Sequence, residues 1–215
     1  MPTVYLSPST QEFNEFATGG NEEYYMNLIA DAMVPYLRAS GIEFVRNNPG
    51  DSISRIIERS NENPYDLHLA IQSRSTPDGT PKVLRGIDVY HYAISPVKGE
   101  IAAYLIAENL KNIYPLPELV RTVPDFTMLE LSETNAPAVL VELGYYDNME
   151  DARWIVENIE EIGRNLAQSV ADFLQVPFID PGRSRFQIQR PEPDPHSQDT
   201  MSSSNISPRD LFQRA

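Results

Sequence analysis

The sequence predicts an α/β protein built on a single largely parallel, twisted sheet with helices on both faces, and two alternating patterns predict it. Apolar runs of strand length, at 4–6, 42–46, 65–71, 87–93 and 138–142, are separated by longer stretches whose apolar residues recur at helical spacing. Gly, Pro, Asn and Ser clusters mark the boundaries, and repeated strand, crossover helix, strand is the order that a sheet covered on both sides requires. The 41% hydrophobic fraction over 215 residues is ample for one core.

In order, the strand at 4–6 runs through a Gly-containing loop into a helix at 22–39, whose Met26, Ile29, Ala30, Met33 and Leu37 form one buried stripe. Pro35 inside it requires a kink or a local break, and Ser40-Gly41 ends it. After the strand at 42–46, Asn47-Asn48-Pro49-Gly50 is a turn, and a second helix at 52–61 turns Ile53, Ile56 and Ile57 inward. Pro64 precedes the central strand at 65–71. A Ser/Thr/Pro/Gly-rich loop at 73–86 is either a lip over a groove or an ordinary surface connection. The strand at 87–93 feeds a helix at 98–113, and residues 114–124, with three prolines, read as a long connection. The strand ending near Glu142 is followed by one long amphipathic helix at 148–174, with Trp154, Ile155, Ile159, Ile162, Leu166, Val170 and Phe173 as its inner stripe. Residues 1–179 are expected to be the domain. Residues 180–215, rich in Pro, Ser, Asp, Arg and Gln, are expected to be a disordered tail, whose segment at 207–214 is either a frayed end or a short partner-binding stretch.

The chemically telling segment is Ala138-Val139-Leu140-Val141-Glu142-Leu143-Gly144-Tyr145-Tyr146-Asp147-Asn148. An apolar strand ends on a carboxylate, which places Glu142 at the carboxyl rim where open α/β sheets hold their active sites. Half wrapped by apolar neighbours, such a group can have its pKa raised into the range of a general acid or base. A solvated glutamate at a strand end is the alternative reading of the same spacing.

Residues 137–148 resemble the terminal motif of the zinc-dependent N-acetylmuramoyl-L-alanine amidases (amidase type 3), cell-wall hydrolases whose pattern reads P-A-V-L-V-E-x-G-[FY]-x-x-N. Further segments resemble the family in the right order: Val4-Tyr5-Leu6-Ser7-Pro8-Ser9 its first strand and loop, Asn21-Glu22-Glu23 the start of its first helix, and Asp66-Leu67-His68-Leu69-Ala70-Ile71-Gln72-Ser73 its central strand. The resemblance covers roughly residues 3–178. It implies the amidase/phosphorylase-like fold, a catalytic glutamate at Glu142, and action on the bond between muramic acid and L-alanine in peptidoglycan.

The resemblance also implies a zinc ion held by a histidine of the first loop, a glutamate opening the first helix and a histidine ending the central strand. Thr10 and Gln72 stand at the two histidine positions, so zinc is expected to bind weakly or not at all. The glutamate is Glu22 or its neighbour Glu23. Glu22, four residues before Met26, lies on the buried face, whereas Glu23 is rotated by about 100°. Either carboxylate would also complement the positive end of the helix without any metal. Of the three histidines, His68 shares a strand face with Gln72 but lies about 13 Å back, too far to replace a ligand. It reads as a satisfied core residue, His91 as a packing residue, and His196 as part of the tail. Glu12 and Glu15 in the loop at 11–20 are the remaining oxygen donors, of a kind suited to calcium or manganese. The expectations are thus an amidase of doubtful activity or, alternatively, a catalytically inactive relative that binds peptidoglycan stem peptides or a protein partner, the latter through the tail.

Net charge is −14, with 31 acids against 17 bases, which disfavours nucleic acid as a partner. The absence of cysteine excludes disulfides and Cys-ligated zinc. No apolar run reaches the ~18 residues that span a membrane. No secretory signal is visible at Met1-Pro2-Thr3, so the expected setting is the cytoplasm or a mother cell, or the wall once lysis releases the protein.

Overall fold

The computed structural model describes residues 1–94 and 97–184. Its strands are β1 (Thr3–Pro8), β2 (Glu43–Arg46), β3 (Leu67–Arg74), β4 (Ile87–Tyr92), β5 (Val120–Asp125) and β6 (Ala138–Tyr145). Its helices are α1 (Glu22–Ala39), α2 (Ile53–Asn61), α3 (Val97–Leu110), α4 (Leu129–Ser132), α5 (Met149–Glu157), α6 (Ile159–Leu174) and α7 (Pro181–Ser184). None of the described helices is long and apolar enough to cross a membrane.

The six strands form one sheet in the order β2-β1-β3-β6-β4-β5. Every pairing is parallel except β4 with β6, so β4 and β5 run against the other four strands. The sheet is therefore mixed and mostly parallel, with helices on both faces. Fully buried Leu69, Ile71, Val89, Val139 and Val141 pack with α1, α3 and α6 in the main core. Each such side chain contributes about 2 kcal/mol of transfer free energy. The opposite face is covered more thinly. Tyr5 packs there with Ile56 of α2 and Tyr65, and Ala70 and Leu140 pack with Leu131 of α4.

Three expectations are corrected. The prolines at 114–124 do not make that stretch a plain connection: after a turn at Pro117–Leu119 it forms β5. Pro124 is tolerated there because β5 is an edge strand, where a missing N–H leaves no ladder partner unpaired. The long helix at 148–174 is two helices, because Asn158 leaves helical geometry (φ −122°, ψ 24°) and caps one while opening the next. The helix expected at 98–113 ends at Leu110, with Tyr114 N still bonded to Leu110 O.

The helix carrying Glu22 forms as expected. Asn21 caps it by accepting from Tyr24 N at 2.9 Å, and Pro35 lies inside it. The loop at 73–86 is pinned rather than loose. Thr76 donates to Asp147, Asn148 Nδ2 to Lys82 O at 3.0 Å, and Gly86 N to Asp151 at 3.1 Å. Asp180 pairs with Arg164 at 3.1 Å. The expectation for the rest of the tail, with His196 and the segment at 207–214, lies outside the described residues.

Candidate functional site

The register of the sheet lines up one polar row at the carboxyl rim of β3 and β6. Gln72 pairs with Glu142, Glu142 with Asp88, and Asp88 with Arg121. Directly paired residues share a face of the sheet, so these four side chains rise on the thinly covered side. Between Gln72 and Arg74 the β3–β6 register slips, and β6 carries one extra residue before Tyr145 pairs with Arg74. Gly144 makes this bulge possible: its φ of +139° is one that residues with a side chain rarely adopt. A Cβ there would also meet the buried carboxylate of Asp151 at 3.1–3.3 Å.

The bulge sets Tyr145 beneath Arg74, whose guanidinium lies 4.3 Å from the ring centroid. One nitrogen of Arg74 donates to Asp88, to Tyr90 Oη at 3.3 Å and to Glu142 Oε2 at 3.2 Å; the other donates to the Tyr145 hydroxyl. Tyr90 donates to the same Glu142 oxygen at 3.1 Å. Burial pushes the Glu142 carboxyl above its ordinary value, and Arg74 and the Tyr90 bond oppose that rise. Burial likewise pushes up the Tyr90 hydroxyl, which keeps it a donor.

Glu22 is 1% exposed and turned inward, as its spacing from Met26 predicts. Both its oxygens are engaged: Oε1 accepts from Ser73 N at 2.8 Å and Oε2 from Asn14 Nδ2 at 2.5 Å. Burial raises its pKa, and these two bonds offset part of the rise. Glu23 faces Asn27 instead. The loop at 11–20 folds back toward Glu22, with Phe16 buried and Ala17 N bonded to Tyr146 O at 2.8 Å, while Glu12 and Glu15 point to solvent.

Thr10 and Gln72 line one small polar cavity of about 60 Å³ together with Ser7, Ser9 and Glu130. The Gln72 amide donates to Glu130 Oε2 at 3.1 Å, Ser7 Oγ donates to Glu130 Oε1 at 2.5 Å, and His68 Nε2 lies 3.0 Å from that same oxygen. His68 is fully buried with Ser60 Oγ 2.8 Å from its other nitrogen, the satisfied core histidine expected. His91 pairs with Val139, near the far end of β6 from Glu142.

The structure thus brings Thr10 and Gln72 together and sets Glu142 beside Gln72 in the row. Sequence reasoning missed Asp88, Arg121, Glu130 and the contacts of Arg74. A lone acid inside the apolar run Ile87-Asp88-Val89 was the available signal for Asp88. Arg121 gave none once its stretch was read as a connection.

A model of the N-acetylmuramoyl-L-alanine amidase family (amidase 3) matches residues 9–175. The chain belongs to this family. Solved amidases share its fold at low identity. AmiC2 of Nostoc punctiforme superposes with a TM-score of 0.70 at 17% identity, covering 81% of this chain and 97% of that one. The catalytic domain of CwlV from Bacillus (Paenibacillus) polymyxa var. colistinus gives 0.69 at 15%, covering 82% and 100%. CwlD of Clostridioides difficile, solved in complex with the GerS lipoprotein, gives 0.70 at 14%, covering 81% and 99%. A search of curated protein sequences finds no significant match.

Proposed function

We propose that this amidase-family domain binds peptidoglycan around the muramoyl–L-alanine linkage, with zinc-dependent hydrolysis weak or absent. The observation that carries the proposal is the seat of Arg74. Its guanidinium and the Tyr90 hydroxyl both hold Glu142 Oε2, the oxygen that a general base would turn toward water.

The donor set does not fit the zinc used by the family. A catalytic zinc takes three protein ligands, chiefly imidazole and carboxylate. Here Glu22 already accepts two hydrogen bonds, the amide of Gln72 is turned to Glu130, and Thr10 offers only a hydroxyl. Both imidazoles among the described residues lie elsewhere, one buried at His68 and one toward the opposite rim at His91.

One observation favours a second reading, in which the domain hydrolyses the same bond with unconventional ligands: Glu142 and Glu22 are both held at this rim with raised carboxyl pKa values. A protein partner is a further proposed ligand, as CwlD has in GerS. The proposed setting is the cytoplasm or a mother cell, or the cell wall once lysis releases the protein.

Co-sedimentation with purified peptidoglycan tests the binding claim. The protein is expected in the pellet to the same extent with zinc and with chelator. Failure to pellet under both conditions would overturn it.

A further inference from the structure

Two guanidinium groups share one carboxylate oxygen beside Glu142. Arg74 and Arg121 both donate to Asp88 Oδ2, and Arg121 adds a second bond from Nε to Oδ1 at 2.8 Å. Their donating nitrogens therefore lie within two hydrogen-bond lengths, about 6 Å. Like charges so close repel unless anions sit among them, and Asp88, 3% exposed, is the anion that fixes both forks.

The pair is aimed at ligand rather than sunk in the core. The Arg121 side chain is 62% exposed, and its Nη1 has no acid on it among the described residues. Arg74, 22% exposed, has its guanidinium carbon 4.3 Å from the centroid of the Tyr145 ring. Arg74 is held through its two terminal nitrogens and Arg121 through Nε and Nη2, which leaves Nε of Arg74 and Nη1 of Arg121 as the donors for a second carboxylate.

Resting on the reading of this rim as a peptidoglycan-binding site, we propose that Arg74 and Arg121 form a carboxylate receptor for the acidic stem peptide, setting its free carboxylate beside Glu142. The chain carries a net charge of −14, so its surface repels an anionic ligand at long range. Recognition then rests on short-range donor geometry, and it selects stems with a free carboxylate over amidated ones. Two positive charges face Asp88 and Glu142, and burial raises the Glu142 carboxyl above its ordinary value.

Calorimetric titration of the full chain tests this, using an N-acetylmuramoyl-peptide with free carboxylates and its fully amidated counterpart. The free acid is expected to bind at least about tenfold tighter, the value of one charge-assisted contact. Arg121→Gln should remove that preference. Arg121→Lys, which keeps the charge but loses the fork, should retain only part of it. Equal binding of the two ligands, unaltered in both variants, overturns the receptor and leaves the wall-binding reading intact. Binding of neither ligand overturns both.

Discussion

Arg74 and Glu142 meet at 3.2 Å on the open face of the sheet, and the same guanidinium also holds Asp88 and lies on the ring of Tyr145. The cation next to the candidate general base is thus a side chain of the protein, fixed by a buried acid and an aromatic face. Four consequences can be measured.

Restoring imidazole at the two family positions should create a metal site. In Thr10→His/Gln72→His both new side chains would enter the cavity those residues already line, near Glu22, which bonds to the backbone of Ser73. Zinc affinity, read by equilibrium dialysis, is expected to rise by orders of magnitude. No gain in zinc would show that Thr10 and Gln72 are not the equivalent positions.

Glu22 makes stability depend on pH in a defined sense. Its carboxyl is raised above the ordinary 4.5 by burial, so the folded protein holds that proton more tightly than the unfolded chain. The stabilisation is complete below 4.5 and is lost as pH rises through the raised folded-state value. Glu22→Gln has no proton to lose, so its stability relative to the unmutated protein should climb across that window in urea titrations. A constant difference would contradict a raised Glu22.

Asp88→Ala should destabilise by about 2 kcal/mol in urea unfolding, below the range for a fully buried pair because Arg121 is largely exposed. It leaves Arg74 and Arg121 facing each other without their shared acid. Arg121→Gln, which removes only the exposed partner, should cost under about 1 kcal/mol. Equal costs for the two changes would mean that Asp88 does not organise the pair.

Gly144→Ala forces a side chain into φ +139° and against Asp151, whose carboxylate also bonds Gly86 N and Tyr145 N. A loss of about 1–3 kcal/mol is expected, together with displacement of Tyr145 from beneath Arg74. An unchanged unfolding midpoint would mean that the bulge accommodates a Cβ.

Much of this fold was readable because apolar spacing reports burial directly. The stripe from Met26 to Leu37 fixed which side of α1 faces the core, and with it the inward aim of Glu22. Elements that depend on partners far along the chain were not readable. The stretch Val120–Asp125 becomes a strand because β4 lies beside it, against the signal of Pro124. The break at Asn158 interrupts a continuous apolar stripe, which spacing alone reads as one helix.

The site divides in the same way. Glu142 was legible from local context, an apolar strand ending on an acid before glycine. The cluster of Arg74, Asp88 and Arg121 was not, because it comes from three strands, two of them reversed relative to the first, brought into register across the sheet. His68 was legible as a core residue, but its link through Glu130 to Gln72 needed α4, a helix of four residues that leaves little periodic trace.

The most direct test is mass spectrometry of purified peptidoglycan incubated with the protein and excess zinc, in parallel with Glu142→Ala. Weak or absent hydrolysis leaves intact glycopeptides with both proteins, which is the expected result. Stem peptides released by the unmutated protein alone would contradict it and make this chain a working amidase with Glu142 at its centre.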